Sequence, residues 1–82
     1  MEQDKRICAD VREAGYKEKG VMVEMHRTGG KHYITLENCA TGAFEVSQGY
    51  LSKDHARTVF SVLVVRLGAG YDYEALVELL NS

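Results

Sequence analysis

Two adjacent glycines, Gly29 and Gly30, separate two runs of residues in which apolar and polar side chains alternate. A two-residue turn at this dipeptide predicts a β-hairpin, because glycine readily adopts the positive φ that such turns require. The turn also fixes the register, which pairs Thr28 with Lys31, Val23 with Leu36, and Met25 with Ile34. One face of the hairpin is then apolar and the other polar, a separation that a one-residue slip would destroy.

A third strand is predicted to complete an antiparallel meander over residues 21–48. Its turn falls within residues 38–42, where Gly42 suits a left-handed conformation. An odd number of loop residues would place Phe44 and Val46 on the apolar face with Leu36 and Ile34. Glu45 and Ser47 would then join the polar face.

Three helices are predicted from apolar spacing and capping residues. The first spans residues 2–14, because Ile7, Val11 and Ala14 recur at helical spacing. The second begins after an N-cap at Ser52 and runs to about Leu67. Its residues 58–67 are rich in valine, so a buried strand is the alternative there. The last begins after Asp72.

The stripe of the second helix comprises Ala56, Val59, Phe60, Leu63 and Leu67, and that of the last helix comprises Tyr73, Leu76, Val77 and Leu80. Val62, Val64 and Val65 spread apolar character around the second helix, so we expect it to be covered on more than one side. The last helix or a second copy of the chain would provide that cover. The predicted fold is a single α+β domain over residues 1–82: two layers in the order α-β-β-β-α-α, with helices against one face of a three-stranded antiparallel meander.

Charge and composition exclude several classes of protein. The 82 residues carry ten Lys and Arg against twelve Asp and Glu, without the basic excess of a dedicated phosphate-backbone binder. No run approaches the roughly 20 apolar residues that cross a bilayer. The charged segment 1–5 has no apolar signal core, so we expect a cytoplasmic protein with Cys8 and Cys39 reduced.

No residue pattern predicts catalysis, a metal or a cofactor. His26 and His32 flank one turn but project from opposite faces of the hairpin, and His55 lies on a distant helix. Cys39 lies in a turn, but no nearby residues offer a base and a group to orient that base. We therefore expect a non-enzymatic protein, with a small enzyme or redox protein using Cys39 as a remote alternative.

The start of the second helix suggests nucleic-acid binding as the second choice of function. The α-β-β-β-α order over residues 2–67 resembles the double-stranded RNA-binding domain, whose last helix opens with a basic cluster. Lys53 and Arg57 match two basic positions of that cluster. The resemblance implies phosphate contacts there. Lys5, Arg6 and Arg12 of the predicted first helix would add to this basic surface.

The polar face of the sheet suggests protein binding, our first choice of function. Glu24, Glu37 and Glu45 would project there without any Lys or Arg, beside Tyr33, a residue type favoured as an interface anchor. A surface of this kind would meet a basic protein partner. The predicted partner-binding residues are therefore Glu24, Tyr33, Glu37 and Glu45.

The element order, in a short chain with acidic patches, also resembles small phage inhibitors of CRISPR effectors of the Cas9-containing type. Those proteins present carboxylates to the basic surface that reads the protospacer-adjacent motif. The resemblance implies an inhibitor that acts by binding and not by catalysis. It carries over no individual residue, because no diagnostic motif of that class is matched.

Overall fold

A computed structural model describes residues 11–82, which form a four-stranded antiparallel sheet and two α-helices. The strands follow one another across the sheet in chain order. The elements are β1 (Val11–Glu18), β2 (Val21–Thr28), β3 (Lys31–Asn38), β4 (Phe44–Val46), α1 (Lys53–Gly68) and α2 (Tyr73–Asn81). The predicted α+β fold with a strand meander is confirmed, and the meander has one strand more than expected.

The additional strand corrects the prediction of a first helix. Residues 11–14 belong to β1, while residues 2–10 of that predicted helix lie outside the described residues. Lys19 and Gly20 adopt φ angles of 53° and 78° and form the two-residue turn that joins β1 to β2. Pairing with β2 therefore overrides the helical spacing of the few apolar residues in this segment.

The hairpin of β2 and β3 has the predicted register. Thr28 pairs with Lys31, Val23 with Leu36, and Met25 with Ile34. Gly29 and Gly30 both adopt positive φ angles, of 60° and 79°, as the turn requires. Val23, Met25, Ile34 and Leu36 are buried, so the separation into apolar and polar faces is confirmed.

The turn into β4 corrects the second register prediction. The loop holds four residues, 39–42, since the Asn38 amide donates to the Ala43 carbonyl at 2.9 Å. Gly42 is left-handed as predicted, with a φ of 80°. An even loop reverses the expected faces, so that Phe44 pairs with Glu37 and Val46 with Thr35. Glu45 pairs with Leu36 and thus lies on the face opposite to the predicted one.

Both helices begin where their capping residues predict. The Ser52 hydroxyl accepts from the His55 amide at 3.2 Å, and the Asp72 carboxylate accepts from the Ala75 amide at 3.0 Å. Residues 58–67 are helical, so the strand alternative for this segment is excluded. None of the helices within residues 11–82 has the length and apolar character needed to cross a bilayer.

The core joins the sheet to both helices in one cluster. The buried apolar residues of the cluster are Val21, Val23, Met25, Ile34, Leu36, Tyr50, Ala56, Leu63, Leu67, Tyr73, Leu76 and Leu80, with Val59, Phe60 and Val77 packed against it. Both predicted helical stripes therefore contribute to the core. Val62 and Val65 remain 43% and 66% exposed, so α2 does not supply the additional cover that was expected for α1.

Candidate functional site: the outer face of the sheet

The face of the sheet turned away from the core is called the outer face, and the register places its residues in rows. One row comprises Lys17, Met22, Glu37 and Phe44; the next comprises Gly15, Glu24, Thr35 and Val46; the third comprises Arg12, His26 and Tyr33. Three of the four predicted partner-binding residues, Glu24, Tyr33 and Glu37, therefore share this face. The fourth, Glu45, is separated from them by the thickness of the sheet.

The outer face is mixed in charge, whereas the sequence predicts an acidic one. A β-bulge between Arg12 and Ala14 reverses the alternation of side chains in β1. Ala14 and Tyr16 consequently pack towards the core, whereas Arg12 and Lys17 are carried to the outer face. Carboxylates and cations are thus interspersed there, so the outer face repels a nucleic-acid backbone less than a purely acidic face would.

Glu24 is the carboxylate most affected by this arrangement. Nη1 of Arg12 donates to its Oε2 at 3.0 Å, and Nε2 of His26 lies 2.9 Å from its Oε1. Burial alone would raise the pKa of Glu24, but the hydrogen bonds to Arg12 and His26 outweigh burial and lower it. The Glu24 side chain is only 17% exposed. Its charge is therefore largely satisfied within the chain.

Gly15 of β1 lies directly beside this ion pair. A Cβ atom on Gly15 would lie 3.6 Å from Nη1 of Arg12 and 3.7 Å from Cγ of Glu24. A shallow depression of about 230 Å³ next to the ion pair is lined by Arg12, Gly15, Tyr16, Lys17, Met22 and Glu24. The depression has charged walls, and it lies on the β1 side of the sheet, away from β4.

The exposed apolar part of the outer face lies on β4. Phe44 and Val46 are 54% and 50% exposed, and they occupy neighbouring rows of the same strand. The prediction that both residues face the core is therefore wrong. A loop with an even number of residues would have predicted the positions of Phe44 and Val46 correctly. The sequence favoured an odd number, because these two residues are apolar and alternate with polar ones.

Tyr33 is held at the other end of the outer face by close contact with the chain after β4. A Cβ atom on Gly49 would lie 3.0 Å from the Tyr33 hydroxyl oxygen and 2.8 Å from Cδ of Lys31. Only a glycine leaves the space that the Tyr33 ring and the Lys31 stem occupy. Tyr33 is half-buried as a result, and part of its surface remains available to a ligand.

Glu45 lies near the start of α2 on the core side of β4. It is exposed, and among residues 11–82 it has no ion pair or hydrogen bond from its side chain. Burial, followed by the nearby charges of Glu45 and Glu74, raises the pKa of Tyr73. The Tyr73 hydroxyl is buried without a hydrogen-bond partner among the described residues. Glu45 therefore places an uncompensated negative charge at the edge of the sheet.

A second cluster of charges surrounds Glu13, the residue of the β-bulge. Its carboxylate lies 2.9 Å from Nδ1 of His32, 3.6 Å from Nζ of Lys53 and 3.7 Å from Nε of Arg27. The hydrogen bond to His32 is the main cause of a lowered pKa at Glu13. Lys53, one of the two residues proposed for nucleic-acid contact, therefore already faces a carboxylate, whereas Arg57 is exposed.

The Glu13 carboxylate and the His32 ring are two of the three groups that many nucleophilic catalytic sites contain. A carboxylate that orients a histidine is common to many nucleophilic sites, but such sites also need a hydroxyl or thiol in contact with the histidine. Within residues 11–82, no serine, threonine or cysteine side chain bonds to His32. Cys39 is exposed in the loop before β4, and Cys8, its predicted fellow free thiol, lies outside the described residues.

The histidines do not form a metal site in the part of the chain that the structure describes. His26 and His32 project from opposite faces of the hairpin, as their register predicted. His55 packs its ring against Tyr50, with 4.7 Å between the ring centroids. No group of three or more His, Cys, Asp or Glu side chains among residues 11–82 is arranged to hold a metal ion.

Comparisons with models of known protein families, with curated proteins and with solved structures find no match for this chain.

Proposed function

We propose that this domain is a non-catalytic protein-binding module whose contact surface is the outer face of the sheet together with β4. The observation that carries the proposal is the half exposure of Phe44 and Val46 side by side at the sheet edge. Protein interfaces place apolar and aromatic anchors at the centre and charged residues at the rim. The outer face contains both kinds of residue: Phe44 and Val46 lie beside Glu37, Tyr33 is a second aromatic residue, and Arg12 and Lys17 lie at the opposite edge of the sheet.

The proposed partner has a basic surface, and Glu37 and Glu45 are the carboxylates that would meet it. Among residues 11–82, neither has an ion pair, whereas Glu24 is engaged by Arg12 and His26. Glu24 would therefore contribute less to binding than the sequence suggested. Because two carboxylates at a rim steer association more than they strengthen it, the apolar side chains of β4 would supply most of the affinity.

Inhibition by occupying the partner's basic surface is the form of this function that the resemblance to phage inhibitors implies. The order on which that resemblance rests starts with a helix, and residues 11–14 of that helix belong to β1. The proposal of an inhibitor therefore depends on the chemistry of the outer face and β4 and not on the order of elements.

The test compares affinity capture by the native chain with capture by a Phe44→Thr, Val46→Thr double variant. Threonine has the β-branched shape that strands favour but removes the exposed apolar surface. The bait is incubated with a nuclease-treated lysate of the organism that encodes the chain, and captured proteins are identified by mass spectrometry. We expect a stoichiometric protein partner with the native chain and its loss with the double variant.

A control variant removes two apolar side chains that are more exposed than Phe44 and Val46. Leu51→Thr, Val65→Thr changes residues that are 79% and 66% exposed and lie outside β4, one in the segment between β4 and α1 and the other in α1. This control should capture the partner as the native chain does, and circular dichroism should show that both variants are folded. Equal capture by all three proteins would refute the proposal. Co-purification of nucleic acid alone, without nuclease treatment, would favour Lys53 and Arg57.

A further inference from the structure

We infer that β4 binds its partner by strand addition, and that the added strand has an apolar–basic–apolar pattern. The inference rests on the proposed function, because it names the chemistry of the partner at the same surface. It depends on three observations: the direction of the backbone groups of β4, the difference between the two edges of the sheet, and the charge of Glu45.

The hydrogen bonds that flank β4 show in which direction its backbone groups point. The amide of Asn38 donates to the Ala43 carbonyl at 2.9 Å, and the amide of Ser47 donates to the Ile34 carbonyl at 2.8 Å. In an antiparallel ladder, opposite residues alternate between pairs that exchange backbone hydrogen bonds and pairs that do not. The backbone groups of residues 43, 45 and 47 therefore face β3. The amides and carbonyls of Phe44 and Val46 consequently point away from the sheet, where an added strand would bond to them.

The second observation is that the two edges of the sheet are built differently. The edge at β1 carries a β-bulge at Glu13, together with Arg12 and Lys17, and bulges and charges are the features that discourage strand addition. The edge at β4 has no bulge across Phe44–Val46, and both ends of this short strand are apolar. The β4 edge is therefore the better template for a further strand.

The third observation determines what kind of strand would fit. A second copy could pair its own β4 antiparallel to this one around a two-fold axis, with Phe44 opposite Val46. Glu45 would then lie directly opposite the Glu45 of that second copy, and like charges opposite each other destabilise a sheet. A lysine or arginine in that position would instead be attracted to Glu45. Apolar residues on either side of the basic one would pack against Phe44 and Val46.

The test uses blocked synthetic peptides and the intact, isotopically labelled chain, observed by NMR through its backbone amides. The probe peptide is Thr-Val-Lys-Val-Thr, and a matched peptide has Glu in place of Lys. We expect the probe to shift the amide signals of Phe44 and Val46 at millimolar concentration. The Glu peptide should bind about five-fold more weakly, and a Glu45→Lys variant should reverse the preference between the two peptides.

Two controls separate backbone pairing from simple charge attraction. The probe peptide with N-methyl groups on both valines keeps its charge but cannot donate, so it should lose binding. A Val46→Pro variant removes the outward amide at a position where an edge strand tolerates proline, and it should also lose binding. The inference is overturned by an unshifted spectrum, by equal binding of the N-methylated peptide, or by shifts at β1 in place of β4.

Failure of this inference can be distinguished from failure of the proposed function. If the partner captured from the lysate is lost with the Phe44→Thr, Val46→Thr variant but retained by Val46→Pro, the surface is correct and strand addition is wrong. If capture is unchanged in both variants, the surface itself is wrong.

Discussion

Glu13 is the single residue that most affects the arrangement of β1. As the extra residue of the β-bulge, it allows Arg12 to reach the outer face while Ala14 packs towards the core. Its own carboxylate then lies among His32, Arg27 and Lys53, with a side chain that is only 10% exposed. A buried charge is costly unless it is paired, so the three nitrogen groups are what make this position acceptable for a glutamate.

We expect Glu13 to couple stability to pH. Its pKa in the folded chain lies below the ordinary 4.5, mainly because of the hydrogen bond to His32. A carboxyl with a lowered pKa binds fewer protons when folded than when unfolded. The stability it supplies is therefore present above pH 4.5 and is lost as the pH falls through the lowered value.

A Glu13→Gln variant tests this coupling. It should lose about 1 to 3 kcal/mol of unfolding free energy at pH 7, and its stability should fall less steeply than that of the native chain below pH 4.5. Urea denaturation at a series of pH values measures both effects. Glu78→Gln, on the exposed face of α2, is the matched control. A native-like acid profile for Glu13→Gln would contradict the role given to this carboxylate.

At the scale of elements, the sequence predicts structure wherever the deciding interactions are local. The two glycines of the β2–β3 turn and the N-caps Ser52 and Asp72 act within a few residues, and all three predictions are confirmed. The face of Phe44 depends on the parity of a loop with only one glycine. The strand state of residues 11–14 depends on pairing with β2. Neither of these is encoded in the local spacing of apolar residues.

The candidate site could likewise be predicted from the sequence only where local interactions determine it. Glu24, Tyr33 and Glu37 could be placed on one face because the Gly29–Gly30 turn fixes their register. Arg12 and Lys17 could not, since their position on the outer face follows from a strand and a bulge that the sequence did not predict. Lys31 also lies on this face, opposite Thr28, although no Lys or Arg was expected there from the sequence. These three cations change the outer face from acidic to mixed in charge, and the apolar residues of β4 become more important for the candidate site than Glu24.

Gly30 and Gly68 should respond in opposite ways to the same substitution. Gly30 has a φ of 79°, and a Cβ atom added to it would meet open space, so Gly30→Ala should destabilise the chain by about 1 kcal/mol through backbone strain alone. Gly68 is the last residue of α1 and has ordinary helical geometry, with the nearest atom to an added Cβ at 3.9 Å. Gly68→Ala should stabilise the chain by about 0.5 to 1 kcal/mol.

The midpoints of urea denaturation measure both changes, provided that the slope of the transition stays constant. A Gly30→Ala variant as stable as the native chain would mean that the turn can adopt a different conformation. A destabilised Gly68→Ala variant would mean that the end of α1 cannot accept the extra methyl group.

At the scale of the whole molecule, stability depends on the core cluster that residues 11–82 form between the sheet and the helices. Domains of this size bury a modest fraction of their surface, so each core residue has a large share in the total. Leu63 is 1% exposed and lies in the cluster, whereas Val65 is 66% exposed on the same helix. The two residues offer a direct comparison of core and surface within α1.

We expect Leu63→Ala to cost about 2 to 5 kcal/mol, a large part of the total stability of a small domain. Val65→Ala should change the unfolding free energy by less than about 0.5 kcal/mol. Thermal denaturation followed by circular dichroism measures both variants. A large loss for Val65→Ala would indicate that this side of α1 is covered in solution, for instance by a second copy of the chain.

The chain order of the strands has a consequence for how the molecule folds. Within residues 11–82, every strand bonds to the strand that precedes or follows it in the chain, through loops of two, two and four residues. The entropy lost in closing such short loops is small, and local contacts of this kind are associated with rapid folding. Each strand therefore has its partner within a few residues along the chain, and the contacts of longest range in this fold are those that pack α1 and α2 onto the sheet.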